Sequence, residues 1–346
     1  MAGFFSWISA MFSRPEPDKI QSEPKLLNSS TIQTEHERAG QLSTNDLEQN
    51  LFCWLLDAPP ATLGRELDRN AQSVLDILEQ RIHRQTLEEL PRKPMTLPVL
   101  TRALADEKAD RKGLTDIILS DPALTDQLLH VANSPMFRVG EKPIESVDQA
   151  VFLLGVNGIR NVISAAVMRP MMAARNSREA QFAQKVWRWG LTCARAAEMV
   201  ARLEKKDGSS YFMTGLMPAL SYITLQRELV RICRAADPAV EPSPGLSHKE
   251  LSRFQWATAQ VLASEWQLPP EYHARLMEAE RPTPDQTHAP LNDGIIIGTR
   301  EILRHANQPN MAEDEVLKLV HIRPEHLAQI QRAILDSAKA GSRAGA

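Results

Sequence analysis

The residue types that most often carry catalysis occur in this chain, but their spacing assembles no recognised catalytic or metal-binding motif. The 346 residues include nine histidines and three cysteines. No histidine is followed by aspartate, and there is no CxxC, no HExxH and no GxSxG, so the short patterns for zinc binding and for an activated serine are missing. No glycine-rich phosphate loop occurs either. The motifs therefore predict no catalytic residue, no metal ligand and no cofactor.

The three cysteines favour a structural role over a chemical one. Cys53, Cys193 and Cys233 have no short spacing between them, and such a sparse, odd set is typical of a reducing compartment rather than of a disulfide scaffold. Cys193 also falls on the apolar face of a predicted helix, where a cysteine usually behaves as a small hydrophobic residue. We therefore predict a cytoplasmic location and no nucleophilic cysteine.

One predicted helix carries a stripe of basic side chains. Arg188, Arg195 and Arg202 are seven residues apart, and Lys185 precedes the first of them by three residues. At 3.6 residues per turn these four side chains share the face opposite Cys193. Two interpretations stay open. The stripe is either a solvated helix face or a contact for an acidic partner or for a phosphate-bearing nucleotide.

The composition excludes several classes of protein. The chain is 43% hydrophobic and 24% charged, which is ordinary for a folded domain and excludes a wholly disordered chain. Its 40 basic and 43 acidic residues give a formal net charge of -3, so the bulk charge does not indicate a nucleic-acid partner. No apolar run approaches the roughly 18 residues that would span a bilayer.

The first twelve residues form a short apolar segment. No basic residue precedes the apolar part and no small-residue cleavage pattern follows it, so we do not expect a signal peptide. The segment is interpreted either as a peripheral contact with a membrane interface or a partner, or as a hydrophobic chain end without a function. Its large side chains are Phe4, Phe5, Trp7, Ile8, Met11 and Phe12.

The elements that must position these residues are helices. Residues 13–44 are rich in Pro, Ser, Gln and Glu and predict a linker. Helical spacing of apolar residues begins at residue 46 and predicts helices over 46–56 and 63–90, separated by Pro59-Pro60. A long helix is predicted over 178–204. Strand signals are nearly absent, and the one triple of β-branched residues, 295–297, falls inside a helical pattern. The sequence therefore predicts an all-α fold.

Capping residues in the sequence predict where several of these helices begin or end. Asp121 and Pro122 supply an N-cap and a proline at the first helical position. The sequences 146–149 and 247–250 both fit the capping box, in which a serine and an acidic or amide side chain satisfy each other's backbone donors. Gly155 follows an apolar stretch and is expected to end a helix there.

Residues 97–170 carry a series of short motifs. The motifs are Leu97-Pro-Val-Leu100, Asp121-Pro-Ala-Leu-Thr-Asp-Gln-Leu-Leu129, Val131-Ala-Asn-Ser-Pro-Met-Phe137, Ile144-Glu-Ser-Val-Asp-Gln-Ala150, Leu153-Leu-Gly155 and Ile159-Arg-Asn161. This series resembles the HDOD family, the HD-related output domain of bacterial signalling proteins. The resemblance is specific because several motifs occur in the right order and at the right distances, and it continues more weakly to about residue 305. Weaker matches follow at Trp187, Gly215-Leu216 and Trp266-Gln-Leu-Pro269.

The resemblance implies a multi-helix bundle related to the HD and HD-GYP metal phosphohydrolases but without their metal site. At the positions that correspond to the metal ligands of catalytic relatives, only one residue is a carboxylate. A single carboxylate does not hold and activate a divalent ion for phosphodiester hydrolysis. The residues at these positions are Trp189, Pro218, Ala219, Gln255, Ala279, Glu280 and Thr299.

The loop with Asn133, Ser134 and Phe137 is the most family-like feature. Asn133 and Ser134 are good turn residues, and Phe137 is expected to insert into the core between the helices before and after the loop. We therefore interpret the loop as architectural. The alternative is that it forms the interaction site.

The resemblance implies a domain organisation and a function. The predicted parts are a leader and linker over 1–44, an N-terminal helical extension over 45–93, an HDOD domain over 94–305 and a C-terminal helical tail over 306–346. The implied function is a non-catalytic adaptor that binds other signalling proteins, such as diguanylate cyclases, phosphodiesterases or two-component proteins, in cyclic-di-GMP signalling, motility or biofilm control. The alternative is a cryptic nucleotide-binding domain or a residual phosphohydrolase that uses Glu280 and the basic stripe.

Overall fold

The protein is helical throughout the part of the chain that the structure describes. This computed structural model describes residues 44–95, 97–98, 111–134, 136–138, 140, 142–280, 289–320 and 322–342. Within those ranges no strand occurs, and the all-α prediction is confirmed. The predictions for the linker before residue 44 and for the apolar segment 1–12 concern residues outside these ranges.

The described helices follow one another along the chain. In chain order they are α1 (Thr44–Leu56), α2 (Pro60–Leu63), α3 (Arg69–His83), α4 (Arg111–Leu119), α5 (Pro122–Ala132), α6 (Val147–Met168), α7 (Ser177–Leu203), α8 (Gly208–Ala235), α9 (Pro244–Glu265), α10 (Pro270–Glu280), α11 (Pro290–His305), α12 (Glu313–Leu319) and α13 (Pro324–Ser342). A 3₁₀ turn, Arg169–Met172, continues α6.

Helices α7, α8 and α11 form the centre of the bundle, and α8 is its most buried element. Residues 208–225 of α8 are all buried, as expected of a helix that other helices surround. Helix α7 packs against both α8 and α11, while α9 and α6 cover further sides of α8. The central helices thus bring residues from distant parts of the sequence to one place.

Small residues let the three central helices approach closely. A methyl group placed on Gly294 or Gly298 of α11 would lie 2.4 or 2.6 Å from a backbone atom of α7, nearer than any real contact. On the other side, a methyl group on Gly215 of α8 would lie 2.7 Å from the Cα of Ala194. The glycines are therefore required by the spacing of the helices rather than by their backbone angles.

The N-terminal helices pack onto this bundle through a buried carboxylate. Glu228 of α8 is fully buried. It accepts a hydrogen bond from Arg81 of α3 at 2.6 Å and from the backbone N–H groups of Glu88 and Glu89 at 3.0 and 2.9 Å. The segment after α3 is thereby attached to the centre of the bundle. The helix predicted over 63–90 is shorter than expected, because the Asp68 side chain caps α3 at its N-terminus and the helix ends at His83.

One of the two predicted capping boxes is wrong. Ser146 caps α6 by accepting from the Gln149 N–H, and Asp121 caps α5 by accepting from the Leu124 N–H. In contrast, α9 begins a turn earlier than predicted, at Pro244 with Ser243 as its N-cap. Residues 247–250 therefore lie inside the helix, where Glu250 is buried.

Gly155 interrupts α6 as its sequence context predicted. Its backbone angles, φ 68° and ψ 176°, belong to a region that is essentially restricted to glycine. The helix resumes beyond it and continues to Met168. The sequence pattern thus located the break correctly, although a second helical stretch follows the glycine directly.

One helical stretch meets the length and hydropathy expected of a membrane span. Within residues 147–172 the most apolar 18-residue window has a mean hydropathy of 1.6, and 61% of that window is buried within the bundle. A core helix has the same properties, so this stretch is weak evidence for a membrane. No uninterrupted apolar run is visible in its sequence because polar residues such as Asn157 and Arg160 lie within it.

Candidate functional site

Three of the central helices meet at a buried cluster of Trp189, Tyr222 and Thr299. Trp189 of α7 donates its indole N–H to the hydroxyl oxygen of Thr299 in α11 at 2.9 Å. The Trp189 ring also stacks on Tyr222 of α8, with centroids 4.9 Å apart and an angle of 9° between the planes. All three side chains are almost completely buried. Two of them, Trp189 and Thr299, are at positions where the sequence resemblance placed metal ligands in catalytic relatives.

The neighbouring ligand-like positions are closed by packing. Pro218 and Ala219 are buried in α8. A methyl group on Gly190 would lie only 2.5 Å from the Cβ of Ala219, so this wall has no room for a larger side chain or for an ion with its shell. The space between α7 and α8 is filled by the protein itself.

The donor set at these positions does not fit a divalent metal ion. An indole N–H is a donor only, and proline and alanine side chains have no lone pair to offer. Gln255 and Glu280 are half-buried on α9 and α10, and Glu280 is the one carboxylate among the ligand-like positions. Within the described ranges, no three His, Cys, Asp or Glu side chains form a group suited to a metal. The residues present therefore do not fit the metal centre of an HD phosphohydrolase.

The cysteines also lack the environment of a nucleophile. Burial raises the pKa of the Cys193 thiol far above its ordinary value. Burial and the nearby Glu250 raise the pKa of Cys233 to about 11. Burial raises the pKa of Cys53 as well. Because the thiolate is the reactive form, none of the three thiols is activated near neutral pH.

The family-like loop is held in place by one asparagine. Asn133 donates to the carbonyl oxygens of Leu129 and Ile144 at 2.9 and 2.7 Å, and its own side-chain oxygen accepts from the Ile144 N–H at 2.7 Å. The side chain thus ties the end of α5 to the segment that leads into α6. Ser134 is buried beside it.

The Phe137 side chain contacts α8, a helix that the expectation of insertion between α5 and α6 did not include. Its ring meets the ring of Phe212 in α8 edge-on, with centroids 6.0 Å apart. The side chain is half-buried and packs against the core, so it does not stand free as an exposed contact. The loop thereby links α5, α6 and the central helix.

Most of the predicted basic stripe is paired within the protein. Lys185 donates to the Trp54 carbonyl oxygen at 2.7 Å and forms an ion pair with Asp57. Arg195 and Arg202 both pair with Glu198 of the same helix, whereas the exposed Arg188 has no side-chain ion pair among the described residues. As a partner surface the stripe stays a prediction.

Comparison with known proteins identifies the family. The profile of the HDOD domain matches residues 90–282, which is more than half of the chain. The chain belongs to the HDOD family. This family is generally regarded as lacking the catalytic activity of HD proteins, and HDOD membership makes the chain a signalling-related domain.

Solved structures with a similar fold have low sequence identity to this HDOD protein. A protein of Shewanella amazonensis SB2B, named as a candidate metal-dependent phosphohydrolase, is 18% identical with a TM-score of 0.56, over 81% of this chain and 100% of that one. A second protein of that organism, named as a candidate phosphohydrolase, is 18% identical with a TM-score of 0.53, over 77% of this chain and 97% of the other. At this level of identity the likeness shows the fold alone.

One curated relative matches part of the chain. YuxH, an uncharacterized protein of Bacillus subtilis (strain 168), is 28% identical over 134 residues. The match covers 38% of this chain and 31% of YuxH. The HDOD protein therefore spans about a third of the length of this relative.

Several of the residues singled out from the sequence have partners that the spacing did not predict. The resemblance placed Trp189 and Thr299 at ligand-like positions. No residue near either of them in the sequence indicates that the two side chains form a hydrogen bond, or that Tyr222 stacks on the indole ring. The predicted basic stripe included Arg195 and Arg202 but not Glu198, which lies between them in the sequence and pairs with both. The pattern Arg-x-x-Glu-x-x-x-Arg over 195–202 was a usable signal, because residues three and four apart on a helix are neighbours.

Proposed function

We propose that this HDOD protein is a non-catalytic signalling adaptor whose helical bundle binds other regulatory proteins. One observation carries the proposal: at ligand-like positions of the HD fold, Trp189 and Thr299 bond to each other beneath a stacked Tyr222. A bundle that lacks the metal ligands but keeps the packed core acts through the contacts that its surface makes with other proteins. The resemblance to output domains favours diguanylate cyclases, phosphodiesterases or two-component proteins as partners, in cyclic-di-GMP signalling, motility or biofilm control.

The location of the protein is part of the same proposal. We place it in the cytoplasm, where such partners operate, because its sparse cysteines suit a reducing compartment. Residues 1–12 supply a peripheral membrane contact in this proposal, which their large apolar side chains support. No nucleic acid is proposed as a partner, because the chain has a formal net charge of -3.

The proposal is tested by metal content and hydrolysis measured on the full chain. The protein, purified without chelators, is analysed for Fe, Mn and Zn. It is then assayed with cyclic di-GMP and with bis(p-nitrophenyl) phosphate in the presence of added Mn²⁺, Fe²⁺ or Mg²⁺. We expect no stoichiometric metal and no hydrolysis above buffer, because the ligand-like positions offer no suitable donor set.

A matched pair of variants decides what any residual activity means. Glu280→Gln removes the one carboxylate at the ligand-like positions, and Glu278→Gln removes an exposed carboxylate of the same helix. Hydrolysis that Glu280→Gln abolishes and Glu278→Gln preserves would establish the residual phosphohydrolase and overturn the adaptor proposal. Hydrolysis that both variants retain points to a contaminating enzyme, and further purification should remove it.

A further inference from the structure

Two fully buried glutamates, Glu198 and Glu301, each pair with two arginines. Glu198 of α7 pairs with Arg195 at 2.6 Å and also with Arg202. The side chains of Arg195 and Arg202 keep 32% and 42% of their area exposed, respectively. Burying a carboxylate is costly unless it is paired, and here each carboxylate is paired twice. One arginine is enough to neutralise each glutamate, so the second arginine leaves a net positive charge.

The second glutamate repeats this arrangement on α11. Glu301 pairs with the buried Arg300 and with Arg304, both at 2.5 Å, and of these two arginines only Arg304 is well exposed, with 39% of its side chain accessible. With the exposed Arg188, five arginines stand against two glutamates, a surplus of three positive charges. The whole chain has a formal net charge of -3, so this surplus is concentrated on α7 and α11.

The packing of α7 and α11 places Arg188 beside the end of α11. The helices run antiparallel, since Gly298 lies against Cys193 and Gly294 against Ala197. Continuing this register brings Arg188 level with the last turn of α11, which ends at His305. Burial lowers the pKa of His305, and so do the charges of Arg304 and Arg188, with Glu301 acting in the opposite direction. The local field is therefore positive at this end of the stripe.

The pairing also fixes the arginine side chains. A free surface arginine loses rotamer freedom when it binds a partner, whereas Arg195, Arg202 and Arg304 are already held by a buried carboxylate. Each guanidinium has five N–H donors, so donors remain after the internal ion pair. The surface is thus arranged in advance for further acceptors.

The spacing distinguishes an extended acidic partner from a small anion. Arg188, Arg195 and Arg202 recur every seven residues, which is about 10.5 Å along a helix. At this spacing the three guanidiniums do not converge on one phosphate group. A helix lying alongside α7 would present carboxylates at matching intervals if it carried acidic residues seven apart.

We propose that the basic face of Arg188, Arg195, Arg202 and Arg304 binds an acidic α-helical segment of a partner protein. This inference rests on the proposed adaptor function and names the chemistry of the partner. Association should be fast at low salt and should weaken as salt screens the exposed charges.

The test measures binding of a defined peptide to the full chain. The probe is a fluorescein-labelled, alanine-rich helical peptide with glutamate at every seventh position, and its control has glutamine at those positions. We expect fluorescence anisotropy to report salt-sensitive binding of the glutamate peptide only. Arg188→Glu should weaken it by about fivefold or more, because an exposed attraction becomes a repulsion.

Arg234→Glu is the matched control, because Arg234 is an exposed arginine near the end of α8, a helix that contributes nothing to the basic face. The substitution makes the same change in net charge. It should change binding much less than Arg188→Glu, and circular-dichroism melts should show that both variants fold. Equal weakening by the two variants, equal binding of the glutamine peptide, or no binding by the unaltered protein would each overturn the proposal.

A competition experiment distinguishes a small phosphate ligand from an acidic helix as the occupant of the basic face. Inorganic phosphate or cyclic di-GMP is added to the preformed peptide complex at constant ionic strength. Displacement at micromolar concentration would assign the face to a small phosphate ligand and overturn the acidic-helix proposal. If the peptide does not bind and no hydrolysis is detected, the proposal for this basic face is ruled out but the adaptor proposal stands. Hydrolysis that depends on Glu280 would rule out the adaptor proposal itself.

Discussion

At the scale of single residues, the centre of this HDOD protein is packed by side chains at the ligand-like positions. Trp189 fills the junction of three helices with an aromatic ring, and its one polar atom bonds to Thr299. Stacking on Tyr222 adds to the burial, and aromatic pairs of this kind contribute about 0.5–1.5 kcal/mol beyond the area that they bury. The residues at these ligand-like positions therefore stabilise the bundle.

The Trp189–Thr299 hydrogen bond can be measured by a double-mutant cycle. Trp189→Phe removes the donor and Thr299→Val removes the acceptor, and each change leaves a buried polar partner unsatisfied. We expect each single variant to lower the free energy of unfolding by about 1–3 kcal/mol. The double variant should lose about 0.5–1.5 kcal/mol less than the sum. Urea unfolding curves provide the measurement, and strict additivity would contradict the bond.

Asn133 is the second residue whose role can be tested by itself. Asn133→Ala removes three hydrogen bonds and leaves the Ile144 N–H and two carbonyl oxygens without this partner. We expect a loss of about 2–4 kcal/mol in the free energy of unfolding, measured by chemical denaturation.

The control for Asn133 is another asparagine with a simpler role. Asn176 caps α7 at the surface by accepting from the Glu179 N–H, and Asn176→Ala should cost about 1 kcal/mol. If both variants lose the same free energy of unfolding, Asn133 contributes no more to stability than an ordinary helix cap, and its predicted role in holding the loop is contradicted.

At the scale of elements, the contact of α7 with α11 depends on two glycines. The backbones approach so closely at Gly294 and Gly298 that no side chain fits between them. This approach carries Thr299 to Trp189 and brings the end of α11 beside Arg188. The buried cluster and the place of Arg304 in the proposed basic face are therefore both consequences of one helix–helix contact.

Gly294→Ala tests this contact. The added methyl group would lie 2.4 Å from backbone atoms of Ala197, so the helices must separate, and we expect a loss of about 1–3 kcal/mol or more. Gly64→Ala is the control, since its methyl group would meet one carbonyl oxygen at 3.8 Å and its backbone angles suit alanine. Differential scanning calorimetry should show a large fall in Tm for the first variant and little change for the second.

At the scale of the whole molecule, two buried carboxyl groups lie near each other on α8 and α9. Glu228 is satisfied by Arg81 and by two backbone N–H groups. Glu250 is also fully buried, yet neither of its carboxyl oxygens has a hydrogen-bond partner among the described residues. Burial, with the nearby charge of Glu228, raises the pKa of Glu250 well above its ordinary range. The native protein therefore holds a proton there that the unfolded chain releases.

This proton makes the stability of the protein depend on pH. Because the native state binds more protons than the unfolded state above pH 4.5, stability falls as the pH rises from there through the native pKa of Glu250. Glu250→Gln cannot ionise and should remove this contribution. We expect the stability of the variant, relative to that of the unaltered protein, to increase by at least about 1 kcal/mol between pH 5 and pH 8.

Urea unfolding at several pH values measures the effect. Glu265→Gln is the control, because that glutamate is exposed on the same helix and its replacement should leave the slope of stability against pH unchanged. A slope that Glu250→Gln does not alter would show that Glu250 contributes nothing to it.

The sequence by itself determined the helical class, the family and the absence of a catalytic motif. These follow from local information: apolar spacing of 3.6 residues, caps such as Asp121, and a run of motifs whose order is preserved along the chain. The break at Gly155 was equally local, because a backbone conformation that only glycine adopts is marked by the glycine itself. The start of α9 was mispredicted because two serines of the same segment, Ser243 and Ser247, both suit an N-cap.

Only the tertiary structure decided which distant residues meet. Trp189 and Thr299 are 110 positions apart, and their bond depends on the close approach of α7 and α11 rather than on any pattern near either residue. Likewise, the sequence showed a stripe of basic side chains, but folding buried Glu198 beneath two of them and drew Lys185 onto Asp57. Local preferences act over a few residues, whereas burial and ion pairing are settled by the packing of whole helices. This packing fixed both the closed centre and the ion-pair partners of the basic side chains.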